Sequence, residues 1–145
     1  MKLTIHQNKN LNEEEIIIHC IHVDKRIKKL ADYIRQFTFS MEGETEGKQY
    51  QLSPESIYYI DSVDGKTFLY DDSRSYLCRQ TLSSLEILLR DTTFVRISKN
   101  CILNTAYLKC VAPFANHRMK AELKNGEHLL ISRNYIDDVK EKIRS

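Results

Sequence analysis

From Phe94 to Asn104 the chain reads Phe-Val-Arg-Ile-Ser-Lys-Asn-Cys-Ile-Leu-Asn, two short apolar runs around a polar tripeptide. Phe94, Val95 and Ile97 favour a strand, and Cys101, Ile102 and Leu103 resume one. Ser98-Lys99-Asn100 between them buries nothing and can donate hydrogen bonds outward. A chain with this stretch must hold a donor-rich loop out to solvent on an apolar β scaffold.

Charge gathers around the same stretch. Arg96 to Arg133 holds seven Lys and Arg against Glu122 and Glu127, a net +5 where the whole chain is +2. Concentrated positive charge on a β scaffold suggests a polyanionic partner. From the residues alone two partners fit: a nucleic acid, or an acidic protein meeting a basic face.

The 145 residues suit one domain, or one domain with a small extension, and 41% hydrophobic with 29% charged residues is ordinary for a globular chain. The longest apolar runs, such as Ile16-Ile17-Ile18, are far short of the roughly 20 residues that cross a bilayer, and the alternating N-terminus lacks a signal-peptide core. A cytoplasmic protein is expected. Cys20, Cys78, Cys101 and Cys110 are scattered without a C-x-x-C pair and read as reduced, small hydrophobes.

Residues 2–7 and 14–23 alternate or cluster β-branched side chains as strands do, and Asp24 then caps a helix with Ile27, Leu30, Ala31, Ile34 and Phe37 on one face. This predicts a strand-strand-helix extension over 1–42 that packs on the domain or on a second copy. Residues 40–48, with two of the four glycines, read as a linker or an exposed loop.

The main domain is expected over 48–145. It should be α+β and mainly β, with small antiparallel sheets and short helices. Strands are predicted at 49–52, 57–63, 67–70 and 76–79, with Asp64-Gly65 as a tight hairpin turn. Thr81 caps a helix to Leu89, and the 94–104 stretch follows. Asn104 caps a single turn, strands run over 108–113, 119–123 and 128–131 with Asn125-Gly126 turning the last pair, and Ser132 caps a terminal helix over 133–143.

Enzymatic chemistry finds little support. There is no G-x-S-x-G elbow, and Gly43, Gly47, Gly65 and Gly126 give neither Walker nor dinucleotide spacing. Cys20 and His22 are half of a zinc site at best, with no second pair at ligand spacing, so no metal and no cofactor are expected. Asp61, Asp64, Asp71 and Asp72 fit turn and solvation roles rather than acid/base work. His117 reads as a solvated loop histidine, which beside Arg118 could touch a phosphate.

Ile57-Tyr58-Tyr59-Ile60-Asp61, the Leu82–Leu89 helix, F-x-R-x-x-x-x-x-x-x-N over 94–104 and Ser132-Arg133-Asn134-Tyr135 together resemble the LytTR-type DNA-binding domain of bacterial transcription regulators over about residues 48 to 144. The resemblance implies an elongated β arrangement that places loops into successive major grooves of duplex DNA, with no enzymatic activity and no small-molecule substrate. Carried over by position, Lys66, Thr67, Lys99 and Arg133 read bases, and Arg96, Asn100, Lys109, Arg118, Lys120 and Asn134 meet phosphates. Lys99-Asn100 departs from the basic-Ser pair frequent in relatives and leaves the loop's base preference open.

The function expected is a sequence-specific transcription regulator, a homodimer on repeated half-sites. A membrane-protein antagonist is a further expectation of the resemblance, and control by aspartate phosphorylation is not expected.

Overall fold

The computed structural model describes residues 1–144. Its strands are β1 (Met41–Thr45), β2 (Lys48–Leu52), β3 (Tyr59–Val63), β4 (Lys66–Tyr70), β5 (Ser75–Cys78), β6 (Phe94–Ser98), β7 (Cys101–Asn104), β8 (Leu108–Phe114), β9 (Arg118–Leu123) and β10 (His128–Ile131), with helices α1 (Lys25–Gln36), α2 (Leu82–Leu88) and α3 (Ile136–Arg144). Single 3₁₀ turns span Pro54–Ser56, Thr105–Tyr107 and Arg133–Tyr135. All pairing is antiparallel, in a seven-stranded sheet of order β2-β1-β5-β4-β3-β7-β6 and a three-stranded sheet of order β10-β9-β8. The mainly β reading of the sequence is what the chain adopts.

Alternation on β6 and β7 builds two cores. Phe94 and Ile102 face one side, where α2 brings Leu82, Leu85 and Leu89 over Ile57, Ile60 and Leu69. Ile97 and Leu103 face the other, against Ala121 and Leu123 of β9, Ile131 of β10 and Val139 of α3. Thr81 caps α2 by accepting from Ser84 N at 3.1 Å, and Asp24 caps α1 by accepting from Ile27 N at 3.0 Å, as the sequence pattern implied. Ser132 has extended N-cap geometry, but its side chain makes no capping bond; the 3₁₀ turn intervenes before α3.

A buried polar relay joins α1 to the sheet. Gln36 Nε2 donates to Thr93 Oγ1 at 2.9 Å, and Thr93 Oγ1 donates to Asn104 Oδ1 at 2.6 Å. Asn104 in turn donates from Nδ2 to Ile57 O at 2.8 Å and caps the turn after β7 by accepting from Ala106 N at 3.1 Å. Helix α1 thus packs on its own domain, through its C-terminal end.

Two sequence expectations are corrected. Residues 2–7 and 14–23 form no strand; Ile16, Ile17 and Ile21 are exposed. β-branched composition favours a pleated, half-buried surface, and without a paired neighbour it makes none. Residues 40–48 are not a linker, because Met41–Thr45 pairs with Lys48–Leu52 and Glu44 stands opposite Leu77 of β5. Gly43 is a packing glycine: a Cβ there would lie 2.6 Å from Tyr76 Cβ and 3.0 Å from Leu52 Cδ1. Gly43→Ala is therefore expected to destabilise the domain by about 1–3 kcal/mol, read as a lower denaturant midpoint at unchanged slope.

Candidate nucleic-acid interface

Strand direction brings the polar tips together. β3 runs up to the Asp64-Gly65 turn, and both residues take positive φ, 53° and 76°, as a two-residue primed hairpin turn requires. β7 runs down from Lys99-Asn100 beside it, with Asp61 opposite Cys101. Ser62 N donates to Asn100 O at 2.8 Å, tying the two turns at one end of the sheet. Ser132 N donates to Ile97 O at 2.9 Å, which sets the Arg133–Tyr135 turn beside the same end of β6. In the second sheet Met119 pairs with Ile131, so the β8–β9 turn, with Asn116 and His117 at positive φ, is at that end too.

Lys66, Lys99 and Arg133 are exposed at this end, as are Asn100 and Asn134. Arg118 and Lys120 on β9 lie half-buried with their charges over the Phe114 ring, at 5.2 and 5.8 Å from its centroid. Arg118 Nε also donates to Ala115 O at 3.0 Å.

Three of the expected contact residues are placed differently. Thr67 is 6% exposed and points into the sheet's packed face, so its hydroxyl offers almost nothing to a partner. The side chain of Arg96 is committed inward. Nε donates to Ser98 O at 2.8 Å, Nη2 donates to Lys99 O, and Nη1 pairs with Glu86 of α2 at 3.0 Å. A guanidinium fork bridging both sides of the turn and α2 fixes where Lys99 stands. Lys109 lies at the other end of β8, near the β9–β10 turn, 3.9 Å from Glu122.

One cation at the tips was not singled out from the sequence. Arg79 is exposed and directly follows Cys78, which pairs with Thr67, so it stands beside Lys66. Only the β4–β5 register reveals it.

Beneath the tips lies a desolvated patch. Burial, with the Asp61 charge nearby, pushes the Cys101 thiol up to about 12, so it stays protonated and unreactive at neutral pH. Burial and a hydrogen bond with Asp61 push the Tyr70 hydroxyl up to about 12 as well. The Asp61 carboxyl is itself raised by burial, partly offset by Tyr70, and its Oδ1 has no partner among the described residues. The Tyr70 and Tyr59 rings stack at 4.4 Å, and Tyr59 donates to Glu127 at 2.8 Å.

No helix of the described residues is long and apolar enough to cross a membrane. Among them, no group of three or more His, Cys, Asp or Glu could hold a metal ion.

Comparison with known proteins decides the family, since the LytTr DNA-binding domain profile matches residues 47–144. The chain belongs to the LytTR family. It is 30% identical over 98 residues to the sensory transduction protein LytT of Enterococcus faecalis, covering 68% of this chain and 40% of that protein. It is 28% identical over 112 residues to the transcriptional regulatory protein LytR of Staphylococcus aureus strain N315, covering 77% and 46%. The chain thus spans less than half the length of these curated relatives. A solved LytTr DNA-binding domain from Bacillus cereus shares the fold, with a TM-score of 0.69 at 19% identity over 73% of this chain and 97% of that one. The LytTR family is one of DNA-binding regulators rather than enzymes.

A carboxyl with a raised folded-state value destabilises the fold while ionised, fully so above that value, and ceases to do so below its ordinary value of 3.8. Asp61→Asn is accordingly expected to melt above the wild type near neutral pH, the gap closing as the pH falls towards 4. Thermal melts over a pH series check this.

Proposed function

We propose that this LytTR domain is a sequence-specific regulator of transcription that reads duplex DNA through its three cationic tips, with Lys66, Lys99 and Arg133 entering successive major grooves. The observation that carries the reading is the tying of those tips to one end of the fold, through Ser62 N to Asn100 O and Ser132 N to Ile97 O. Lys and Arg are the natural donors to guanine O6 and N7, and an exposed side chain on a pinned backbone suits that task.

Asn100, Asn134, Arg118 and Lys120 take the phosphates, with Arg79 and His117 beside them. Arg96 acts on DNA through the turn it clamps, Thr67 through the hairpin it packs, and Lys109 lies outside the contact. Three base-reading side chains give one copy modest discrimination, so two copies about one helical turn apart on repeated half-sites form the working unit. A chain with this partner works in the bacterial cytoplasm.

Binding to a site selected from random-sequence duplexes, measured by fluorescence anisotropy at several salt concentrations, tests the assignment. Lys99→Ala and Arg133→Ala should each lose about 1–3 kcal/mol on the selected site with little loss on random DNA. Lys120→Ala should weaken both alike and reduce the salt slope by about 1. Equal losses on both DNAs for Lys99→Ala and Arg133→Ala would overturn the base-reading roles.

A further inference from the structure

The amino-terminal arm displays its apolar side chains instead of storing them. Ile16 is 67% and Ile21 93% exposed, with Ile17 and Val23 similarly open. Helix α1 continues this surface: Ile27, Leu30 and Ile34 are only half-buried against the domain, and Phe37 just past its end is 74% exposed. So many exposed apolar side chains between Ile16 and Phe37 point to a contact site.

Charge says what fits there. Glu13-Glu14-Glu15 stand immediately before Ile16, and Lys25, Arg26, Lys28 and Lys29 occupy the first half of α1. All are exposed, and among the described residues none of them is in an ion pair. The chain carries an anionic run and a cationic run that do not meet each other. Helix α1 is anchored through Gln36 to Thr93, at the opposite end of β6 from Lys99, and five strand residues separate the two ends by roughly 15 Å.

We propose that the arm and α1 form a reciprocal contact between two copies of this chain. Glu13, Glu14 and Glu15 of one copy lie along Lys25, Arg26, Lys28 and Lys29 of the other, Ile16 and Ile17 cover its half-buried Ile27 and Leu30, and the same contact is made in reverse. An isologous pair covers both arms and both helices at once. Apolar burial drives the association, while the charges, weak singly in water, select the partner and set the register. An anionic membrane would accept α1 and repel Glu13, Glu14 and Glu15, so the second copy is the better fit. The inference rests on the two-copy reading above and supplies the contact that holds the copies together.

Sedimentation velocity of the full chain over a concentration series, with two charge-reversed variants, tests it. Wild type should dimerise. E13K/E14K/E15K and K25E/R26E/K28E/K29E should each raise the dimer dissociation constant by about tenfold or more. Their equimolar mixture should restore association, because the lysine arm of one variant then meets the glutamate helix of the other, while the glutamate arm of the second meets the basic helix of the first; this rescue also rules out misfolding as the cause of the loss. Both variants should keep the wild-type ratio of affinities for a single half-site over random DNA, so failure of the dimer contact and failure of DNA reading are read separately. A wild type that stays monomeric throughout, a dimer indifferent to both reversals, a mixture that does not associate, or a monomer that floats with phosphatidylglycerol vesicles would each overturn the proposal.

Discussion

The β6–β7 hairpin is buried on both faces, and the rest of the fold follows from that. Ile102 belongs to the core under α2 and Leu103, its neighbour, to the core under β9, β10 and α3. A strand pair loaded on both sides cannot slip by one residue without exchanging its two sets of side chains. Its register is therefore held from both directions, and the only part free of packing is the turn at Lys99-Asn100. The strand register shifts between Arg96 and Ser98, just before that turn.

Electrostatics follow from this packing. By charge alone Arg96 is one more cation for a polyanion, yet its fork is satisfied by Ser98 O, Lys99 O and Glu86. It holds the turn so that Lys99, with no such partners, can point outward. The positive charge of the 96–133 segment is thus divided between a residue that shapes the interface and others that face solvent along it. Lys109 and Lys124 fall at the far end of the second sheet, so a net charge counted along the chain overstates what the tips present.

Much of the fold was legible from residue patterns. Asp64-Gly65, Asn125-Gly126, Thr81 and Asp24 act within three or four residues of themselves, and each turn or cap formed where its chemistry placed it. Two readings failed for the same reason. The β-branched runs at 2–7 and 14–23 looked like strands but have no partner, while Met41–Thr45, interrupted by Gly43, looked like a linker and is a strand because Tyr76 packs against that glycine. Strand formation depends on a neighbour that local composition does not name. The candidate site divides likewise. Lys66, Lys99 and Arg133 came from the family resemblance and are exposed, whereas the burial of Thr67 and the nearness of Arg79 to Lys66 depend on which strands pair.

The amino-acid sequence by itself determined most of the elements beyond residue 48, the turns between them and the concentration of cations after Arg96, because propensity, capping and turn chemistry act over a few residues. Only the tertiary structure decided that turns more than thirty residues apart share one end of the molecule. That placement rests on two backbone hydrogen bonds, Ser62 to Asn100 and Ser132 to Ile97. Every residue but proline can make such a bond, so the side chains carry no record of which partner it will take.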